Sequence, residues 1–310
     1  MTDLTEFSFL DAQAHALGVP VPPVRRLSLT LSDGRTLSAV AFGQTPPVVT
    51  FLHGAGLNAH TWDATALALG LPALAIDLPG HGDSSWRDDL NYSAPSIAPD
   101  IAEALAAWTE SPQLVVGQSL GGLTGATLAA QHPELVRALL VIDITPGIDT
   151  SVGPAILREF YSGPTDFASR DDLVDRAMSF GFGGSRANTE RGVFLNSRVR
   201  DDGRVEWKHH FAHLAAATFA DPSTTTAPSA ATRVLSDDGW ADLAAVVAPI
   251  TLVRAEQGFV SEEDTKEYAQ RVPGSQIIAL NAPHNAQETS PVELADIIQT
   301  LLVEASADSA

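Results

Sequence analysis

From residue 48 onward the chain alternates short, unbroken runs rich in Val, Ile and Leu with stretches of helical periodicity. Strand-like runs fall at 25–31, 36–42, 48–52, 73–76, 114–116, 139–142, 251–253 and 276–280. Helical patterns fall at about 61–69, 96–109, 123–131, 262–270 and 292–305. A strand that is apolar on both sides needs cover on both sides, the condition of a parallel sheet flanked by helices. The predicted fold class is therefore α/β. The first two runs differ: Ser32-Asp33-Gly34-Arg35 supplies a turn between them and marks a hairpin. Ser261 and Asp264 have capping-box spacing, and Pro273-Gly274 stops the helix they begin.

The alternation breaks between about 145 and 228, where Gly, Pro and charged residues mix with helical fragments at 171–178 and 207–217. That break reads as an insertion, with Thr224-Thr225-Thr226-Ala227-Pro228-Ser229 as the linker back. The expected organisation is an N-terminal extension (1–24), packed on the outside or left mobile, a core (25–144 and 235–310) and a helical cap (145–234).

Composition excludes several functions. The 310 residues carry 38 acidic and 18 basic side chains, a formal charge of −20, which repels a polyanion and disfavours nucleic acid as a partner. No apolar run approaches the roughly 20 residues of a membrane-spanning helix. The absence of cysteine excludes disulfides, a thiol nucleophile and thiolate metal sites. The acidic start Met1-Thr2-Asp3-Leu4-Thr5-Glu6 is unlike a secretory signal, so the expected location is cytoplasmic. The expected assembly is a monomer or homodimer.

One segment carries chemistry on its face. Gly117-Gln118-Ser119-Leu120-Gly121-Gly122 joins a strand-like run to a helical one, the G-x-S-x-G pattern of a serine on a tight strand-to-helix turn. Glycines there relieve the clash of closely approaching chains, and the unpaired N–H groups of the helix start favour a developing oxyanion. Ser119 needs a base. Among nine histidines, His284 stands in the loop Asn281-Ala282-Pro283-His284-Asn285 directly after the last strand-like run, at the sheet edge where Ser119 also emerges. An insertion histidine (His209, His210 or His213), or no base at all, is the alternative. His53-Gly54-Ala55-Gly56-Leu57 follows another strand and lets backbone N–H groups approach a substrate. It is not a dinucleotide loop, since Ala59 stands where the third glycine belongs. No cofactor and no metal are expected. Asp77-Leu78-Pro79-Gly80-His81-Gly82-Asp83-Ser84 is rich in turn formers and reads as structural.

The succession of strand-His-Gly-x-Gly, Asp-Leu-Pro-Gly-His-Gly-Asp-Ser, Gly-Gln-Ser-Leu-Gly-Gly and a late loop histidine resembles the α/β-hydrolase family over residues 25–305. The resemblance implies a mostly parallel eight-stranded sheet with helices on both faces and a helical cap. It implies Ser119 as nucleophile, His284 as base and then acid, and the backbone N–H groups of Ala55 and Leu120 as the oxyanion hole. The third triad member departs from the common pattern. Where many relatives carry an aspartate after the seventh strand, this chain has Gln257-Gly258-Phe259. Some family members place the acid after the sixth strand, where Asp143 stands; Glu256, an acid within 261–264, or none are the alternatives. Asp143 could instead simply receive backbone N–H groups at a strand end.

A serine nucleophile implies hydrolysis of an ester or thioester of a small, largely apolar substrate. Carbon–carbon hydrolysis of a diketone acid is a second reading, with Arg158, Arg186, Arg191, Arg198 or Lys208 to hold the carboxylate. A low-turnover binding protein is a third, kept open by Gly258. Phe160, Tyr161, Phe167, Phe180, Phe182, Phe194, Trp207 and Phe211 make the insertion aromatic, most of them packing it onto the core and a few lining a pocket between the two.

Overall fold

The structure is a computed structural model and describes residues 4–148, 159–160, 163–214 and 239–307. Its strands are β1 (Val24–Thr30), β2 (Thr36–Phe42), β3 (Val49–Leu52), β4 (Ala73–Asp77), β5 (Gln113–Gln118), β6 (Val136–Ile142), β7 (Asp166–Phe167), β8 (Ser197–Val199), β9 (Val205–Trp207), β10 (Ile250–Gln257) and β11 (Gln276–Pro283). Eight of them form one sheet in the order β1-β2-β4-β3-β5-β6-β10-β11. Only β2 runs antiparallel to its neighbours. The fold is the α/β-hydrolase fold that the resemblance implies.

The helices are α1 (Leu10–Leu17), α2 (Asp63–Leu69), α3 (Ala94–Trp108), α4 (Leu120–Gln131), α5 (Arg170–Ser179), α6 (Arg186–Asn196), α7 (Gly239–Ala245), α8 (Glu262–Arg271), α9 (Ala286–Thr289) and α10 (Pro291–Ala307). Successive residues of a strand point to opposite faces, so the apolar runs divide between two cores. Val115, Leu139, Val141 and Leu252 meet Ile97 and Ile101 of α3, Leu128 of α4 and Leu243 of α7. Val116, Leu140, Ile142 and Val253 meet Leu10 of α1, Leu67 of α2 and Leu294 and Ile298 of α10. Each such Leu or Ile contributes about 1.5–3 kcal/mol by leaving water. Burial on both faces is why these strands show no polar alternation. The capping box of α8 forms, with Ser261 Oγ accepting from Asp264 N–H at 3.1 Å and Asp264 Oδ2 from Ser261 N–H at 2.8 Å.

The segment between β6 and α7 has a core of its own, with Phe160, Phe167, Leu173, Val193, Val205 and Trp207 buried together. Beside its helices it carries a small antiparallel sheet, β7-β9-β8, which the sequence reading does not anticipate. Trp207, read as the start of a helix, ends β9; among the described residues of 207–217 helix begins at 211, and 215–217 lie outside them. Strands of two or three residues are too short to show a period. Arg158, Tyr161 and the 224–229 linker lie outside the described residues.

Candidate active site

Four loops leave the sheet at the C-terminal ends of β3, β5, β6 and β11, and begin with His53, Ser119, Asp143 and His284. Strand order reverses around β3, which opens the crevice where open α/β sheets bind ligands.

Ser119 sits between β5 and α4 at φ 53° and ψ −121°, a conformation that costs a residue with a side chain about 1–3 kcal/mol. The surroundings enforce it. Ser119 N–H donates to the Ile142 carbonyl at 3.0 Å. A Cβ on Gly117 would stand 2.3 Å from the Gly121 carbonyl oxygen, and one on Gly121 would stand 2.1 Å from that of Leu52. The flanking glycines are thus required by close approach of β5, α4 and the end of β3, while the unusual dihedrals fall on the serine itself.

Asp143 follows β6 with φ 50° and a fully buried side chain. Its Oδ2 lies 2.6 Å from His284 Nδ1 and accepts Phe259 N–H at 2.6 Å. Its Oδ1 accepts the N–H groups of Ala255 at 3.2 Å and Val260 at 3.3 Å. Asp143 thus gathers backbone donors from the end of β10 and the turn after it, and it also contacts the histidine. No hydrogen bond joins His284 to Glu256, which is exposed at an irregularity in β10, or to Asp264, which caps α8.

An acceptor-only partner at Nδ1 puts the His284 proton there and leaves the Nε2 lone pair free. The ring stacks on Phe259 at 3.6 Å between centroids and 13° between planes. Gln118 Nε2 donates to the His284 carbonyl at 3.2 Å, tying that loop to the residue before Ser119. The structure records no hydrogen bond between Ser119 Oγ and His284 Nε2; such contacts commonly tighten only around a substrate. The sequence alone does not mark these contacts of Phe259 and Gln118, since nothing in it identifies an aromatic after Gly258 as a ring support.

The loop after β3 lies against Ser119. A Cβ on Gly54 would stand 3.2 Å from Ser119 Cβ and 2.1 Å from Gln118 Oε1. No protein acceptor takes the N–H of Ala55 or Leu120 among the described residues, so both are available to a negative oxygen. Two histidines brace this loop, His53 at its start and His81 from the segment 77–84 that reads as structural. His53 holds the Gly54 carbonyl through Nδ1 at 2.8 Å and accepts Leu78 N–H on Nε2 at 2.9 Å. His81 holds the Pro79 carbonyl at 3.0 Å and accepts Gly56 N–H at 3.0 Å. Burial pushes His53 down to about 4 and, with His53 beside it, His81 well below the ordinary histidine range. Both stay neutral, as an Nε2 acceptor must. Asp77 is structural as expected: buried, it takes Ala59 N–H at 2.7 Å and Arg26 Nη1 at 2.6 Å.

The other candidates are committed elsewhere. His209 stacks on Trp207, and His210 stacks on Trp86 and meets the Tyr92 hydroxyl at 2.8 Å. Arg186 pairs with Asp175 and Glu190, Arg191 with Asp63, Arg198 with Glu206 and Lys208 with Asp83. Among the described residues no group of three or more His, Asp or Glu is placed to hold a metal ion, and no helix is long and apolar enough to cross a membrane.

Comparison with known proteins places the fold in a family. The model of the "Alpha/beta hydrolase family" matches residues 51–297. The chain is similar to esterase Rv0045c of Mycobacterium tuberculosis, 36% identical over 97% of this chain and 97% of that protein. A solved structure of that esterase superimposes with a TM-score of 0.81, covering 97% of this chain and 99% of the other at 35% identity. A 2-(acetamidomethylene)succinate hydrolase of Mesorhizobium japonicum is 31% identical over 44% of this chain and 50% of its own length.

Proposed function

Because the chain belongs to the α/β-hydrolase family, we propose that it is a serine esterase in which Ser119, His284 and Asp143 form the triad. The observation that carries this is the 2.6 Å contact between Asp143 Oδ2 and His284 Nδ1, made by residues that follow two strands of the sheet that presents Ser119. Ser119 Oγ attacks the ester carbonyl carbon while His284 Nε2 takes its proton. The oxyanion lies between the N–H groups of Ala55 and Leu120. His284 returns the proton to the departing alkoxide or thiolate, and water, deprotonated by the same nitrogen, releases the acid from Ser119. Asp143 holds the ring in the productive tautomer and stabilises the imidazolium.

The substrate class is a small, largely apolar ester or thioester, bound between the core (25–144 and 235–310) and residues 145–234 as a cap, with 1–24 as an extension. A cytoplasmic enzyme working as a monomer or homodimer completes the reading. The described cations offered for a diketone acid are paired, and the reason for a low-turnover binder, an acid missing at Gly258, is met by Asp143. The test is hydrolysis of p-nitrophenyl acetate through octanoate by the parent and by Ser119→Ala. Turnover in the parent and none in the variant supports the proposal; no turnover in either, or equal turnover in both, removes it.

A further inference from the structure

Among the described residues, the segment between β6 and α7 reaches the loop after β3 at the end of α6. Asn196, the last residue of α6, donates from Nδ2 to the Gly56 carbonyl at 2.7 Å. The neighbouring Leu195 carbonyl accepts from Asn58 Nδ2 at 3.3 Å, at the other end of the same loop.

The peptides around Ala55 are each fixed by a different partner. The peptide carrying the Ala55 N–H has its carbonyl, that of Gly54, held by His53 Nδ1 at 2.8 Å and by Leu57 N–H at 3.2 Å. The next peptide has its N–H, that of Gly56, held by His81 at 3.0 Å. The third has its carbonyl held by Asn196. Gly56 itself is at φ +76°, the left-handed region open to glycine, so the backbone at this point has conformations to lose if one partner goes.

A second observation concerns the other end of the Asn196 amide. Among the described residues, its Oδ1 is buried with no hydrogen-bond partner. Leaving a buried acceptor unmatched costs about 1–3 kcal/mol, which an apolar side chain of similar volume would avoid. What the asparagine offers against that cost is its donor, directed at Gly56.

We propose that Asn196 is a positioning residue of the oxyanion hole: by holding the Gly56 carbonyl it fixes the direction of the Ala55 N–H, so that docking of residues 163–214 on the core completes the catalytic site. The inference rests on the esterase reading above. It makes the intervening segment part of the machinery for stabilising the transition state, in addition to any cover it gives the substrate.

The test compares the parent with Asn196→Leu, which removes donor and orphan acceptor together, and Asn196→Asp, which turns an acceptor toward the Gly56 carbonyl. Full removal of an oxyanion donor costs about 10²–10³ in kcat, so misaiming one is expected to cost about tenfold or more. Both variants are expected to lose that factor in kcat on p-nitrophenyl butyrate with KM changed less than about threefold. Phenylboronic acid, whose adduct with a serine is tetrahedral, should weaken by the same factor. Amide exchange at Gly56 and Leu57, read by NMR, should accelerate in both variants. Unchanged kcat, a rise in KM alone, or unchanged exchange at Gly56 and Leu57 overturns the proposal. A parent that hydrolyses no ester defeats the esterase reading instead, and the exchange measurement still decides whether Asn196 holds the loop.

Discussion

The carboxylate of Asp143 fills the space that a side chain at Gly258 would need: a Cβ at 258 would lie 2.1 Å from Asp143 Oδ2. Residues 143 and 258 follow adjacent parallel strands, β6 and β10, in which Ile142, the end of β6, pairs with Val253. Gly258 is therefore the accommodation of an acid that arrives from the neighbouring strand. Two carboxylates cannot occupy the spot, and the one present is ringed by the N–H groups of Ala255, Phe259 and Val260.

Removing the carboxylate charge without changing its shape isolates the orienting role. Asp143→Asn should lower kcat by about 10⁴-fold with little change in circular dichroism, because an amide favours the wrong tautomer of His284. Glu256→Gln should retain full kcat. The reverse order in steady-state kinetics would reassign the acid.

Gly258→Ala adds one methyl against Asp143 and should displace it from His284. A misplacement of about 1 Å in a catalytic group costs about 10²-fold, so kcat should fall by that order. Gly192→Ala, where a Cβ meets nothing within 4 Å, is the control and should be neutral. Equal kcat in the two variants would contradict the packing argument.

Strain at Ser119 predicts a trade of stability against activity. Ser119→Gly should gain about 1 kcal/mol or more and melt about 2 °C higher, while losing hydrolysis. Ser119→Ala keeps the dihedral demand and should melt near the parent. A glycine variant no more stable than the alanine variant would show that the turn stores no strain.

A charge network ties the N-terminal segment to the core, and its pH dependence follows from its pKa shifts. Glu6 meets Arg26 and His60; His60 Nδ1 also meets Asp63 at 3.1 Å, and Arg191 reaches Asp63 at 3.1 Å. Burial works to raise Glu6, but hydrogen bonds from His60 and Arg26 hold it down at about 2, below its ordinary 4.5. Burial works to lower His60, but Asp63 and Glu6 lift it to about 9 from 6.5. Stability from Glu6 is complete above pH 4.5 and is lost as pH falls through 2. Stability from His60 is complete below pH 6.5 and is lost as pH rises through 9. The double variant Glu6→Gln/His60→Asn should thus show its largest Tm deficit, about 2–4 °C, near pH 5.5, shrinking by pH 9.5. A deficit that grows toward pH 9.5 would contradict these shifts.

The large sheet and the serine turn are legible in the chain because both are local. Runs such as 114–116 and 139–142 declare buried strands, and Gly117 to Gly122 declares a close approach. The partners of Asp143 are not local: they lie beyond residue 250 and appear only once β6 and β10 lie side by side. His53 and His81 read as loop residues for the same reason, since each braces a backbone group through the tertiary fold. The strands β7, β8 and β9 are too short for periodicity, and Asn196 stands in a helix whose sequence carries no mark of the loop it touches.

Esterase chemistry here requires Ser119 to be an activated nucleophile. Treatment of the parent with a fluorophosphonate, followed by peptide mass spectrometry, tests it most directly. The prediction is a single phosphonylated residue, Ser119, with labelling lost in Ser119→Ala and slowed in Asp143→Asn. Labelling absent from the parent, placed on another residue, or undiminished by Ser119→Ala would contradict it.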